Sequence, residues 1–272
     1  MSDDLQPLDP HHPRQTFGMV GHEKAQQLLL ERFNDKKLHH AWLISGPRGI
    51  GKATLAYHFA RFLLAQPPED EGASLFGDAL PAEAPSTIEI SPDHPVAQRI
   101  TAGGHGNLRT LERQVDDKGK MKNDIGIDAV RELISFFSQT AAEGGWRVAI
   151  IDSIDHLNRN ASNALLKLLE EPPKKSILLL VSHSPGGLLP TIKSRCQALP
   201  LQGLRPEQVT NVINQHLHEA DQGDLQALSD MAKGAPGIAV ELAQNDGLDL
   251  YKQLMHLMLQ LPRIGTEDIH NL

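Results

Sequence analysis

Gly46-Pro47-Arg48-Gly49-Ile50-Gly51-Lys52 has the spacing of a phosphate-binding loop, G-x-x-x-x-G-K. Glycines let successive backbone N–H groups converge on an anion. The helix that follows adds the positive end of its dipole, and the lysine reaches the outer phosphates. The next position normally supplies a hydroxyl to Mg²⁺, but here it is Ala53, which has none. Thr54 carries a hydroxyl one residue later, which on a helix points about 100° away. Far downstream, Ile150-Ile151-Asp152 ends an apolar run with a carboxylate. Alone, Asp152 reads as a strand-end or capping residue. Paired with the glycine loop, it reads as the position that reaches a metal-bound water. Ser153 follows where a general base would be glutamate, and a hydroxyl has no basicity near neutral pH without a partner. Asp155 is close in sequence and could be proposed as a substitute base, but its side chain is expected to point elsewhere. Ser194-Arg195-Cys196 offers an arginine that could serve a different site.

These residues need a frame. Ala41–Ser45 is a short apolar run that reads as a buried strand feeding the glycine loop, and a helix is expected from about Gly51 to Leu64. That strand–loop–helix order is the context the phosphate-loop motif requires. Leu28, Leu29 and Phe33 among charges predict an amphipathic helix over 23–34. Further strands are expected near Leu108–Val115, at Arg147–Ile151, at Ile177–Val181 and around Gln197–Leu201. Asp116–Lys120 reads as a hairpin tip. Val130, Leu133, Ile134 and Phe137 share one face of a helix after Ile127. Asn158 or Asn160 could cap a helix through Leu165–Glu171 that Pro172-Pro173 ends. A short helix is expected near Leu188–Ser194. Strands alternating with helices predict an α/β domain with a mostly parallel sheet covered on both faces. Residues 1–16 contain three prolines and read as an extended arm, and 66–106 reads as a mobile acidic loop. After Gly203 no strand pattern remains, and 205–260 reads as a small helical domain broken at Gly234–Gly237.

The whole chain sets limits. Its 272 residues suffice for one large or two modest domains with a real core. No apolar run is long enough to span a bilayer, and the acidic start is no signal peptide, so a cytoplasmic protein is expected. A single cysteine, Cys196, excludes a disulfide framework and a multi-cysteine zinc site within the chain, and it reads as a buried, inert thiol. A net charge of −8 argues against strong DNA binding by the chain itself, although a local basic patch stays compatible with it. The pairs His11-His12 and His39-His40 should not converge on one ion, because adjacent strand residues face opposite ways. No metal site is expected.

Longer motifs carry a resemblance. Phe17–His22, then Leu38–Ile44, then Ala161–Pro173, and finally Ser194-Arg195-Cys196 together resemble the AAA+ clamp-loader ATPase family over about residues 14–260. The resemblance implies an AAA+ P-loop domain at 17–202, carrying the 66–106 insertion after the 1–16 arm. A small all-helical lid would follow at 203–262, and a collar domain would begin at 263–272. It implies a subunit of a bacterial replicative polymerase complex that loads the sliding clamp on DNA. ATP would sit between neighbours, each site completed by an arginine from the next subunit. Gamma/tau-type motor and delta subunits, the sliding clamp and primer-template DNA would be its partners. On the matching positions, Gly46, Arg48, Gly49, Gly51, Lys52, Thr54 and Asp152 are candidate nucleotide contacts, Ser182 is a candidate sensing hydroxyl, and Arg195 is the candidate arginine finger. Gly234–Gly237 falls where motor subunits carry a second sensing arginine, and no arginine is present. The family's cysteine-rich zinc module is replaced by the acidic stretch, so zinc is not expected. Weak ATP or ADP binding with little hydrolysis is the implied behaviour. An independent ATPase using Thr54 or water remains the alternative. A small-molecule kinase would need an acceptor site and lid arginines, which the sequence does not display.

Overall fold

The computed structural model describes residues 12–67, 84–116, 118–138, 145–216, 221–245 and 247–259. The chain divides into two compact units. The first holds residues up to Pro47 together with Lys52–Leu201. The second holds Arg48–Gly51 with the residues from Gln202 onward.

The first unit opens with α1 (Glu23–Asn34), β1 (Ala41–Ser45), α2 (Lys52–Ala65), α3 (Pro95–Thr101), β2 (Leu108–Glu112) and α4 (Ile127–Ser138). It continues with β3 (Arg147–Asp152), α5 (Arg159–Glu170), β4 (Ser176–Ser182), α6 (Pro190–Lys193) and β5 (Gln197–Pro200). The strands form one sheet in the order β2-β3-β4-β1-β5, and every pairing is parallel. β1 and β4 are buried along their whole length. Continuous apolar runs such as Ile177–Val181 are what a sheet covered on both faces demands. One core face packs Val130, Leu133 and Phe137 of α4 against Leu165 and Leu168 of α5 and against Ile151 and Leu180 of the sheet. Asn158 caps α5 by accepting from the Ala161 N–H at 2.9 Å, and α5 ends at Glu170 just before Pro172-Pro173.

Three local expectations are corrected. Residues 66–106 are not loop throughout. α3 lies inside this stretch, His94 caps it by accepting from the Val96 N–H, and Val96, Ala97 and Ile100 are buried. Residues 12–16 of the arm are not extended but turned, with Gln15 N–H donating to His12 O. His39 and His40 precede β1 and do not face opposite ways: their rings stack at 4.3 Å between centroids. Each ring is tied to a carbonyl, His39 to Ala41 O and His40 to Leu169 O. His11 lies outside the described residues.

The turn at 12–16 is held by Arg61 of α2, which is 1% exposed. Its guanidinium donates to Thr16 O at 2.8 Å and to Arg14 O, and it stacks over the Phe17 ring at 4.3 Å. Burial lowers its pKa to about 10.

The second unit contains α7 (Pro206–His216), α8 (Gln222–Ala232), α9 (Pro236–Gln244) and α10 (Gly247–Leu259). Val209, Ile213, Leu228 and Ala239 fill its centre. Between α8 and α9 the chain turns at Gly234, with φ 84°, and a Cβ there would sit 2.8 Å from Leu204 O. Only glycine fits that backbone and that space.

Arg61→Ala is expected to destabilise the first unit by roughly 2–4 kcal/mol, because it orphans buried carbonyls and opens a cavity. Arg61→Lys should recover little, since an ammonium cannot reproduce the planar fork and the ring stacking. Urea denaturation of both variants checks this.

Candidate functional site

The loop residues divide between the units: Gly46, Pro47 and Lys52 belong to the first, Arg48–Gly51 to the second. Gly46, Gly49 and Gly51 all have positive φ (148°, 78° and 94°), the backbone that an inward-facing row of amides requires.

In the first unit, Lys52 opens α2 and is 3% exposed. Its ammonium donates to Pro47 O, so the lysine folds back into its own loop. Burial lowers its pKa to about 8, against the opposing pull of the Asp152 and Asp155 carboxylates. Ala53 and Thr54 follow on the first turn of α2, both half-buried.

Asp152 ends β3, and its backbone pairs with Glu112 at the end of β2 and with Val181 of β4. Burial raises its pKa to about 6; the neighbouring Glu112 charge adds to the rise, and Lys52 opposes it. Glu112 accepts from Tyr57 Oη at 3.2 Å and lies 3.6 Å from His12 Nε2. Burial pushes Glu112 upward, but the hydrogen bonds from His12 and Tyr57 hold it below the usual carboxylate range. Tyr57 is raised by burial and by the Glu112 charge. His12, Tyr57 and Glu112 have no local motif. They meet because residues 12–16 turn onto α2 and because β2 runs parallel to β3 in register.

Asp155 lies in the short turn that follows β3. It points at the strand that carries the candidate sensor. Oδ1 accepts from Ser182 Oγ at 2.8 Å and from Ser184 N at 3.2 Å. Oδ2 accepts from His183 N at 2.7 Å and from Ser153 Oγ at 2.5 Å. Burial alone would raise its pKa, yet these donors hold it below the ordinary value. Ser182 is fully buried and Ser153 is 3% exposed, so both hydroxyls are turned inward onto one carboxylate. The peptide joining Asp152 and Ser153 is cis. Gly46 N–H donates to Ser182 O at 3.3 Å, tying the start of the glycine loop to the same strand end.

In the second unit, Gly237 N–H donates to Gly49 O at 2.8 Å. A Cβ on Gly237 would stand 3.1 Å from both Cα and O of Gly49. The backbone approach leaves no room for a long side chain there without displacing the loop tip. Arg48 is paired with Glu241 at 3.2 Å and is 70% exposed.

Arg195 follows α6. Its guanidinium pairs with Glu170 at 2.8 Å and donates to Thr191 O at 3.0 Å. The side chains are 34% and 49% exposed, so the pair sits at the surface. Cys196 packs against the core, and burial pushes its thiol up to about 12, far from the range of a reactive thiolate. Among the described residues, no group of three or more His, Cys, Asp or Glu is placed to hold a metal ion, and no helix is long and apolar enough to cross a membrane.

An all-parallel sheet whose first strand runs through a glycine loop into a helix is a P-loop α/β fold. A gamma subunit-related protein of DNA polymerase III from Thermotoga maritima shares it, with a TM-score of 0.51 at 20% identity over 89% of this chain and 64% of that one. The family model described as "DNA polymerase III, delta subunit" matches residues 21–205, and the chain belongs to that family. Curated relatives named DNA polymerase III subunit delta' include one from Pseudomonas aeruginosa, 41% identical over 65% of this chain and 48% of its own length. Another, from Escherichia coli, is 34% identical over 80% of this chain and 58% of its own length. The chain thus spans about half to three fifths of these relatives.

Asp152 carries a pH signature. A carboxylate whose folded-state pKa is raised from 3.8 to about 6 binds its proton more tightly folded than unfolded. The cost of holding its charge is absent below about pH 4 and complete above about pH 6. Asp152→Asn should therefore raise stability by about 1–2 kcal/mol at pH 7.5 and leave it unchanged at pH 4. Thermal melts at the two pH values read this directly.

Proposed function

We propose that this chain is a clamp-loader subunit of a DNA polymerase III complex that lends Arg195 to ATP held by a neighbouring subunit while being poorly equipped to hydrolyse ATP itself. The observation that carries this reading is the capture of Ser153 and Ser182 by Asp155. The candidate sensing hydroxyl is held in a fixed internal tie, and the position of a water-activating glutamate carries Ser153, a hydroxyl without basicity of its own. Ala53 adds the loss of a metal-ligating hydroxyl. The relatives' names favour the assignment. Gamma/tau-type and delta subunits, the sliding clamp and primer-template DNA are the partners it implies.

Phosphate binding fits what the loop retains. Gly46, Gly49 and Gly51 have the backbone for it, and Lys52 supplies a cation that must leave Pro47 O to reach an anion. Mg²⁺ fits poorly, with Asp152 the one matching ligand and a methyl group at Ala53. We infer weak ATP or ADP binding with little hydrolysis. A fluorescent nucleotide titrated with and without Mg²⁺ should bind detectably and gain less than about threefold, or 0.7 kcal/mol, from the metal. A large gain would favour the reading as an independent ATPase.

Arg195 is available for transfer. A solvent-exposed ion pair contributes only about 0.2–1 kcal/mol, so release from Glu170 is cheap. A trans arginine stabilises a phosphoryl-transfer transition state by a factor of about 10³–10⁵, or roughly 4–7 kcal/mol. Arg195→Ala in the reconstituted loader is expected to cut DNA-dependent ATP turnover at one site by that order while leaving this chain's fold intact. Unchanged turnover at every site would remove the finger role. Robust turnover by the isolated chain would remove the division of labour.

A further inference from the structure

Within the second unit, α9 meets the tip of the glycine loop through three residues. Gly237 and Ile238 each neighbour Glu241 along the helix surface, four and three positions before it. Gly237 N–H donates to Gly49 O at 2.8 Å. Gly49, at φ 78°, lies so near Ile238 that a Cβ on it would stand 2.9 Å from Ile238 Cγ1 and from Ile238 N. Glu241 offers both carboxylate oxygens to Arg48, with Oε1 at 3.3 Å and Oε2 at 3.2 Å from the same Nη2. A backbone bond, an apolar contact and an ion pair therefore converge on two consecutive loop residues. The first two fix the backbone of the tip. The third decides where the Arg48 guanidinium is held.

We propose that Glu241 is a positioning residue that lowers the loop's affinity for nucleoside di- and triphosphates by holding Arg48 in an ion pair. The proposal rests on the reading of this loop as a weak phosphate site and names one cause of the weakness. A guanidinium bonds phosphate with the same planar fork that it offers a carboxylate, so Glu241 and a bound nucleotide compete for one group. Glu241 also places a negative charge beside the loop, which a polyphosphate must approach. The tip cannot draw Arg48 away from α9 without breaking the Gly237–Gly49 bond. The ion pair itself is a surface one, with 70% and 53% of the two side chains in solvent. Such a pair is worth up to about fivefold in an equilibrium, so Glu241 tunes affinity and does not abolish it. A salt bridge with only a structural role has a different signature. Removing its charge would lower stability and leave phosphate binding unchanged or weaker.

The test titrates N-methylanthraniloyl-ADP, without Mg²⁺, into the full chain and three variants: Glu241→Gln, Arg48→Gln and the two combined. Glu241→Gln keeps the size of the side chain and removes its charge. It is expected to tighten binding about threefold to fivefold at about 50 mM salt, and less at about 200 mM, where screening already weakens the pair. Arg48→Gln should weaken binding by a similar factor. In that background Glu241→Gln should leave affinity within about 1.5-fold, because its effect passes through Arg48. Thermal melts of Glu241→Gln should match the parent, since the pair is exposed. Equal affinity of Glu241→Gln and the parent would overturn the proposal and leave the weak-binding reading standing. A tightening that persists undiminished without Arg48 would do the same. Binding by Glu241→Gln with none by the parent would support the proposal and remove the reading of weak binding by the parent. No binding by any of the four proteins would overturn both.

Discussion

One carboxylate ties together two strand ends of the first unit. Asp155 draws donors from both sides: the hydroxyl that follows β3, and a hydroxyl and two amides at the end of β4. Charge-assisted bonds of this kind are short and strong, and a buried partner left unpaired costs more than the bond contributes. Ser153 and Ser182 thus cannot turn away from Asp155 without leaving that carboxylate short of donors. The same strand end holds the first glycine of the loop through Ser182 O. The result is a tie between the ends of two parallel strands, made of four donors on one carboxylate.

Lys52 and Asp152 show the complementary economy. Each is held where its charge is disfavoured, the lysine lowered and the aspartate raised, and each relieves the other in part. Lys52 donates to a carbonyl of its own loop. Such a site retains an electrostatic bias toward phosphate.

The sheet was legible because β1, β3 and β4 are continuous apolar runs, which few other arrangements can bury. α5 was legible because Asn158 and Pro172-Pro173 punctuate it. α3 was hidden by its context: seven residues between glycine- and proline-rich stretches, marked only by His94 before Pro95. The turn at 12–16 could not be read locally, since Arg61, which holds it, is 45 residues from Thr16. Asp155 likewise finds its partners 27 to 29 residues away on another strand. The histidine pair failed for a different reason. Period-two alternation applies within a strand, and His39-His40 stops short of β1.

A difference in exposure separates the residues turned inward from the one that faces out. Ser153, Ser182 and Lys52 are each at most 3% exposed and fixed by neighbours in the same unit. Arg195 keeps 34% of its side chain in solvent, and its partner Glu170 keeps 49%. Solvent screening makes the latter pair weak, while burial makes the former contacts costly to break. A phosphate oxyanion could compete with Glu170 for the guanidinium, because a planar fork bonds phosphate and carboxylate with the same geometry. No comparable competition is open to the Asp155 tie, whose carboxylate already accepts four donors. The Arg195 guanidinium is therefore the one of these groups whose present partner is easily exchanged.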